Sequence, residues 1–386
     1  GICSVGADAV TLGVVPTPAV AYLVRAQHAD AGIMISASHN SVEFNGIKLF
    51  SATGYKLPDA VEAEIEALIL DTPEKIALKS HKEVGSMHAY ETAKEDYISY
   101  LASTISTPLT GLKLALDCAN GSASATAQAL FEKLGATVHM LSDQPNGLNI
   151  NDHCGSTHME QLMQYVKTHD CDAGLAFDGD ADRMLAVDEC GEVVDGDQLM
   201  SICGNYMKQK GTLKKNTIVA TVMSNLGMFL MGEREGIHIE KTKVGDRYVL
   251  ENMLENGYNI GGEQSGHIIF LDENTTGDGL LSALHLLQVM TETKKKLSEL
   301  ASIMEVLPQA LVNAKVPNHK KEHFEEYAEI AEAIAEVEAK FAGEGRVLIR
   351  PSGTEPLVRV MIEGKDQQLI ESEAQKLAEL ISSIML

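Results

Sequence analysis

Short apolar runs closed by Gly, Asn or Asp alternate along this chain with longer stretches whose apolar residues fall three and four apart. These are the signatures of strands and amphipathic helices. Two stretches repeat the alternation. LKLALDCANG is followed by ATAQALFEKLG and ATVHML, and NTIVATVMSNLG by MFLMGEREG and IHIEKT. Each reads strand, turn, helix, strand, which is a βαβ unit. Asn120 and Asn225 suit the turn or a helix N-cap, and Gly135 and Gly236 suit the helix ends. Repetition of the unit predicts an α/β class with largely parallel sheets.

The last part of the chain has another rhythm. ALVNAKV at 310–316 predicts a strand, and EHFEEYAEIAEAIAEVEAKF predicts one long amphipathic helix. RVLIR and LVRVMIEG predict two more strands, with a final helix from about Gln367. Strands grouped with two helices make a separate α+β domain beginning near Pro308. Softer boundaries near 88–95 and 190–196 divide the rest, giving segments 1–92, 93–193, 194–306 and 307–386.

Length and charge narrow the function. At 386 residues and 45% apolar composition the chain fills several cores, not one. A net charge of -24 argues against nucleic-acid binding, which needs a basic face. It leaves small anionic ligands open, because a few local cations shape a cleft. The six cysteines form no CxxC pair and fit reduced thiols in a cytoplasmic protein. No apolar run approaches a membrane span, no signal peptide opens the chain, and Gly1 in place of Met reads as a trimmed N-terminus.

Candidate chemistry begins with FDGDADRM at 177–184. Asp178, Asp180 and Asp182 repel one another unless a positive group sits among them, and Arg183 follows directly. Three readings stand. A calcium loop of the EF-hand kind has Glu189 at its twelfth position, but Arg183 where the turn glycine belongs and strand-like flanks instead of helices. A magnesium site at a strand end and a solvated acidic turn are the others. In GIMISASHNSVEFNGIKLF, at 32–50, a loop between two strands carries Ser36, Ser38, His39 and Asn40. Beside His39 and Lys48, Ser38 is placed to receive and return a phosphoryl group; the plain alternative is a self-capped polar loop. In RPSGTEPLVR, Arg350 and Arg359 flank Ser352, Gly353 and Thr354, whose amides and hydroxyls suit a phosphate. GGEQSGH at 261–267 offers Glu263, Ser265 and His267, aimed one way if extended, as a polyol needs. KVGDR adds Lys243 and Arg247. DHCGSTH at 152–158 offers zinc-ligand types, but its adjacent His153 and Cys154 point apart in an extended chain and no second cysteine pair follows.

SASHN, DGDADR, GEQSGH and RPSGTEP together resemble, in that order, the phosphoserine, metal, sugar-specificity and phosphate loops of the α-D-phosphohexomutase family. The resemblance runs over essentially the whole chain. It implies three similar α/β domains, the first truncated, and a C-terminal α+β domain around a central cleft. It implies that Asp178, Asp180, Asp182 and a phosphate oxygen on Ser38 bind one Mg2+ per chain, with Arg183 holding the phosphoserine or the incoming substrate. Lys48 and His39 are the acid/base candidates. Lys243, Glu263, Ser265 and His267 would meet the sugar, and Arg350, Ser352, Gly353, Thr354 and Arg359 its second phosphate.

GEQSGH with Gln264, and CGSTHME, look most like the bacterial branch that interconverts glucosamine 6-phosphate and glucosamine 1-phosphate, on the route to UDP-N-acetylglucosamine and cell wall. That branch works through a phosphoserine and a 1,6-bisphosphate intermediate. Glucose- or glucosamine-1,6-bisphosphate is the implied activator. The implied partners are a phosphosugar and a second copy in a homodimer, with neither nucleic acid nor membrane. Two departures stand out: no FGTDGIRG-like opening loop, so the first domain is expected without its first strand and helix, and Ser41 where the family often has Pro. The rival readings are a mutase for mannose or glucose phosphates and a catalytically silent fragment that binds phosphosugar and magnesium.

Overall fold

The computed structural model describes residues 1–343, 345–352 and 355–386. They form two compact units, Gly1–Met223 with Glu235–Ile303, and Ser224–Arg234 with Met304–Leu386. The first unit opens with β1 (Ala9–Thr11), α1 (Thr17–Ala26), β2 (Ala31–Ile35), β3 (Ile47–Ser51), α2 (Asp59–Leu70) and β4 (Met87–Ala89). It continues with α3 (Ala93–Thr104), β5 (Lys113–Asp117), α4 (Ala127–Lys133), β6 (Thr137–Leu141), α5 (Glu160–Thr168), β7 (Ala173–Phe177), β8 (Met184–Asp188) and β9 (Val193–Val194). Then come α6 (Gly196–Lys210) and β10 (Thr217–Thr221), followed by α7 (Leu226–Glu235), nearly all of it in the second unit. The first unit resumes with β11 (His238–Thr242), α8 (Asp246–Asn256), β12 (Ile260–Gly262), β13 (Ile268–Phe270), α9 (Gly279–Thr293) and α10 (Leu297–Ala301).

The repeat read from the sequence is a repeat of topology. One sheet has the order β6-β5-β7-β8-β9 and another β11-β10-β12-β13. In each, the first three strands are parallel and the next turns back antiparallel. Gly135 and Gly236 take the left-handed backbone after their helices, as their positions predicted. Near the N-terminus, β1 pairs with β4, and β2 pairs with β3 antiparallel. The chain therefore makes the same antiparallel turn three times, at β2–β3, β7–β8 and β12–β13. Those three connections are SASHNSVEFNG, DGDADR and EQSGH.

A glycine second in the leading strand sets each turn against its helix. A Cβ on Gly32 would lie 2.5 Å from Val24 on α1, one on Gly174 2.7 Å from Val166 on α5, and one on Gly261 2.8 Å from Met253 on α8. Removing the side chain lets helix and strand approach closely, which fixes the height at which each functional loop emerges. The flanks differ in burial. All of β7 is buried, as a near-continuous apolar strand should be, whereas Ile33, Ile35 and Ile47 of β2 and β3 are exposed.

The second unit holds β14 (Gln309–Lys315), α11 (Ala328–Lys340), β15 (Gly345–Pro351), β16 (Leu357–Gly364) and α12 (Gln367–Met385), with β16 central in an antiparallel sheet of order β14-β16-β15. Val358, Val360 and Ile362 of β16 share a core with Ile370, Leu377 and Ile381 on one face of α12. The continuous helix predicted over 322–341 is broken. Lys321–Glu326 is a 3-10 turn with His323 outside helical geometry, and α11 begins only after Tyr327. Burying Lys321 and Phe324 inward requires that break, which the Ala/Glu periodicity conceals. No helix among the described residues is long and apolar enough to cross a membrane.

Gly174→Val should destabilise the chain by about 1–3 kcal/mol, because the added side chain meets Val166 and Leu162 in a packed layer. Urea unfolding followed by circular dichroism measures this; an unchanged midpoint would show that α5 does not need the glycine.

Candidate active site

The DGDADR loop leaves the end of β7 with its carboxylates turned inward. Asp178 and Asp180 are fully buried and Asp182 nearly so. One carboxylate oxygen from each lies within 4.8 Å of the others, and no other such cluster of potential ligands occurs among the described residues. A positive group sits among them. Lys48, projecting from β3, places Nζ 2.5 Å from Asp180 Oδ2 and 2.8 Å from Asp182 Oδ2. Arg183 adds a guanidinium whose Nε is 4.0 Å from both Asp178 Oδ2 and Asp182 Oδ1.

The turns at β2–β3 and β12–β13 close on the same carboxylates. Ser38 sits in left-handed backbone at φ 55°, held by its N–H to Ser36 Oγ at 2.9 Å, and donates Oγ–H to Asp178 Oδ2 at 3.1 Å. The carbonyls of Ser38 and Asn40 accept from Asn151 Nδ2 at 2.9 and 2.8 Å. From the other side, Met184 N–H donates to Gly266 O at 3.1 Å, joining the strand after DGDADR to EQSG. His267 is buried with Nδ1 3.5 Å from Asp182 Oδ1 and Nε2 3.6 Å from Asp246 Oδ2. Gly277 N–H donates to Nε2 at 3.2 Å, and Nδ1 faces Asp182.

Surroundings push these groups apart in acidity. Burial, with Asp182 and Asp180 beside it, drives the Asp178 carboxyl well above the usual range. Burial acts the same way on Asp182, but His267 and Lys48 outweigh it and hold that carboxyl well below the range. For Lys48 burial opposes the charge, yet Asp182 and Asp180 keep its ammonium far above its ordinary value. His39 is lowered, first by burial and then by the Arg183 cation, so its imidazole favours the neutral form. Asp246 is held at about 2, since His267 and Lys56 overcome its burial.

Geometry decides two alternatives left open above. GEQSGH is not extended: Gly266 N–H returns to Glu263 O in a tight turn, so Glu263, Ser265 and His267 do not point the same way. Glu263 Oε1 accepts from Gly245 N–H at 3.0 Å, Ser265 Oγ is buried with no hydrogen-bond partner among the described residues, and His267 turns to Asp182. The calcium reading also falls. Antiparallel strands flank the loop, and Glu189 is spent on Ser298, 2.5 Å from its Oγ. At the other histidine-rich stretch His153 is exposed, while Cys154 is buried beside Asn120.

Lys243 is exposed, with its ammonium 5.8 Å from the Tyr248 ring centre, and shares the 243–247 segment with Gly245. Arg247 is taken by Asp59 and Glu251. In the second unit, Arg350 and Arg359 stand directly opposite each other on β15 and β16. Burial and the neighbouring Arg359 lower the Arg350 guanidinium. Arg359 Nη2 reaches Glu355 Oε2 at 3.1 Å, and buried Ser352 Oγ accepts from Glu355 N–H. Gly353 and Thr354 lie outside the described residues. Sequence reasoning missed Thr17, whose hydroxyl bonds Asp180 Oδ2, as well as Asn151, Asp246 and Lys56. Only Asp246, inside KVGDR, had a signal at hand.

Buried carboxylate oxygens on Asp180 and Asp182 that have no hydrogen-bond partner among the described residues, and a compact all-oxygen donor set, fit a hard divalent cation such as Mg2+. A serine and a lysine from the β2–β3 hairpin meet a carboxylate triad and an arginine from the β7–β8 connection, a set of groups suited to phosphoryl transfer. Four family models match in order: phosphoglucomutase/phosphomannomutase alpha/beta/alpha domain I over residues 1–75, domain II over 95–191, domain III over 195–307, and the C-terminal domain over 311–380. The chain belongs to the phosphoglucomutase/phosphomannomutase family.

It is 59% identical, over 99% of its length and 85% of theirs, to the phosphoglucosamine mutases of Acetivibrio thermocellus and Clostridium acetobutylicum. Among solved structures it resembles a phosphoglucomutase/phosphomannomutase family protein of Burkholderia thailandensis, with TM-score 0.79 and 22% identity over 98% of this chain and 85% of that one. It also resembles the N-acetylphosphoglucosamine mutase of Aspergillus fumigatus in complex with GlcNAc-6P and magnesium, with TM-score 0.73 and 18% identity over 96% and 93%. These two likenesses establish the fold.

A raised Asp178 ties metal binding to protons. Mg2+ titrated into the protein should release protons, and its affinity should fall as pH is lowered, because the cation must displace the proton that burial favours on Asp178. Calorimetry in two buffers of different ionisation enthalpy reads the release directly; identical heats would contradict it.

Proposed function

We propose that this chain is a phosphoglucosamine mutase, interconverting glucosamine 6-phosphate and glucosamine 1-phosphate through a phosphorylated Ser38. The observation that carries the reading is the placement of Ser38 Oγ 3.1 Å from Asp178, on a triad already gripped by Lys48 and flanked by Arg183. A nucleophile, a cation site and two protein cations within one loop cluster are what phosphoryl transfer asks for. The relatives at 59% identity support the amino-sugar substrate.

Asp178, Asp180 and Asp182 would hold Mg2+, which when bound supplies Lewis-acid neutralisation of the phosphoryl oxygens. In the first half-reaction the Ser38 Oγ–P bond breaks as a new P–O bond forms to the free sugar hydroxyl. The hydroxyl proton passes to His39, the group kept neutral by burial and Arg183, and the departing Oγ takes a proton from the Lys48 ammonium. The second half runs both transfers backwards on the other phosphate of the bisphosphate. Arg183 holds the phosphoryl group in transit. Glu263 and the unpartnered hydroxyl of Ser265 take the ring hydroxyls, with Lys243 and His267 beside them.

The phosphate that is not being transferred docks on Arg350, Ser352, Gly353, Thr354 and Arg359. The opposed guanidiniums support this, since like charges facing across strands are unfavourable without an anion. Glucose- or glucosamine-1,6-bisphosphate would prime Ser38, and the working form is a cytoplasmic homodimer.

Steady-state kcat/KM with Mg2+ for glucosamine 6-phosphate, glucose 6-phosphate and mannose 6-phosphate tests the reading. Glucosamine 6-phosphate should lead by about tenfold or more, the scale on which a site built for one polar substituent rejects its analogue. Equal rates, or a lead for mannose or glucose, would overturn the amino-sugar assignment, and no turnover of any would overturn the mutase.

A further inference from the structure

The break before α11 leaves Lys321 in an unusual position. Its side chain turns inward with Phe324, and the residue is only 8% exposed. Nζ donates to the carbonyl of Ser352, and at 3.2 Å to that of Glu355. Those carbonyls bracket the loop assigned above to phosphate. Ser352 Oγ, itself buried, accepts from Glu355 N–H at 3.2 Å and ties the same two residues together. Lys321 therefore holds the carbonyls of both Ser352 and Glu355.

Carbonyl oxygens satisfy the ammonium's hydrogens without neutralising its charge, and no carboxylate pairs with Lys321 among the described residues. A buried cation without a counter-ion is costly. Two more cations compound the problem: Arg350 faces Arg359 across β15 and β16, and Arg359 Nε is buried with no hydrogen-bond partner among the described residues. Glu355 offers Arg359 a single half-exposed carboxylate. Stability alone would favour an apolar residue in place of Lys321. A doubly charged anion received on this loop compensates all three cations at once.

We propose that Lys321 is a positioning residue for the phosphate loop: it sets the spacing of Ser352 and Glu355 and adds its buried charge beneath the docked phosphate of the substrate. The inference rests on the assignment of that loop in the proposed function. Its role is in binding rather than in the transfer step, so its loss should move KM and leave kcat nearly alone.

The test compares the full chain with its Lys321→Met, Lys321→Arg and Arg359→Ala variants. Each is assayed with glucosamine 6-phosphate and with inorganic phosphate as competitive inhibitor, and thermal melts check folding. Lys321→Met should raise both KM and the phosphate inhibition constant about tenfold, as expected for a lost charged hydrogen-bonding group, with kcat within about threefold. Lys321→Arg, which keeps the charge and the donors, should restore most of both. Unchanged KM and inhibition constant in Lys321→Met would overturn the proposal. So would equal loss of kcat in the Met and Arg variants with lowered melting, which marks a purely structural lysine. If Arg359→Ala also leaves phosphate inhibition unchanged, the assignment of the loop itself is overturned.

Discussion

Three carboxylates buried at the end of one strand are the constraint on which the first unit depends. Asp178, Asp180 and Asp182 have almost no access to water, so their mutual repulsion must be met from inside the protein. Lys48, Arg183 and His267 meet it, and they come from three different antiparallel hairpins. Each supplier is needed at a particular height and direction. The glycines that seat β2, β7 and β12 against their helices serve that end as much as packing does. The same charges separate the acidities, leaving Asp178 high, Asp182 low, Lys48 charged and His39 neutral. One electrostatic problem thus organises both the local fold and the division of labour at the site.

One supersecondary device, used three times, has produced three chemically different loops. Each antiparallel turn places a short loop at a strand end, the usual seat of ligands in α/β sheets. The first loop carries a hydroxyl in left-handed backbone, the second the carboxylates, and the third a buried imidazole and a hydroxyl with no partner among the described residues. Backbone links bind them into one body. Asn151 holds the serine loop by two carbonyls, and Gly266 O receives the amide that follows Arg183. Positions that look like plain loop in sequence therefore set the geometry around the carboxylates. The second unit gathers cations instead of anions, with Lys321 bonded to the Ser352 carbonyl and Arg350 opposite Arg359 on β15 and β16.

What the sequence disclosed follows from how local each signal is. Asp178, Asp180 and Asp182 share a six-residue loop, so alternation of acid and small residues revealed them, and Ser38 stood out beside His39. The βαβ repeat was legible because apolar period and capping glycines agree at each level. Thr17 and Asn151 were not legible, since their partners lie 163 and 113 residues away and neither carries a distinctive neighbour. The helix over 322–341 was misjudged because its Ala and Glu pattern reads smoothly through a break imposed by the burial of Lys321 and Phe324. For GEQSGH the sequence left the conformation open, and Gly266, at φ 88°, decides it by folding the segment into a turn in which a Cβ would run into Met184 O.

The central claim is that these loops form a working phosphoryl-transfer site at Ser38. Intact mass of the protein before and after incubation with glucosamine 1,6-bisphosphate and Mg2+, with peptide mapping of the product, tests it most directly. The account predicts one added phosphoryl group, located on Ser38 and absent from Ser38→Ala. A folded protein that gains none, or gains it on another residue, would contradict the account.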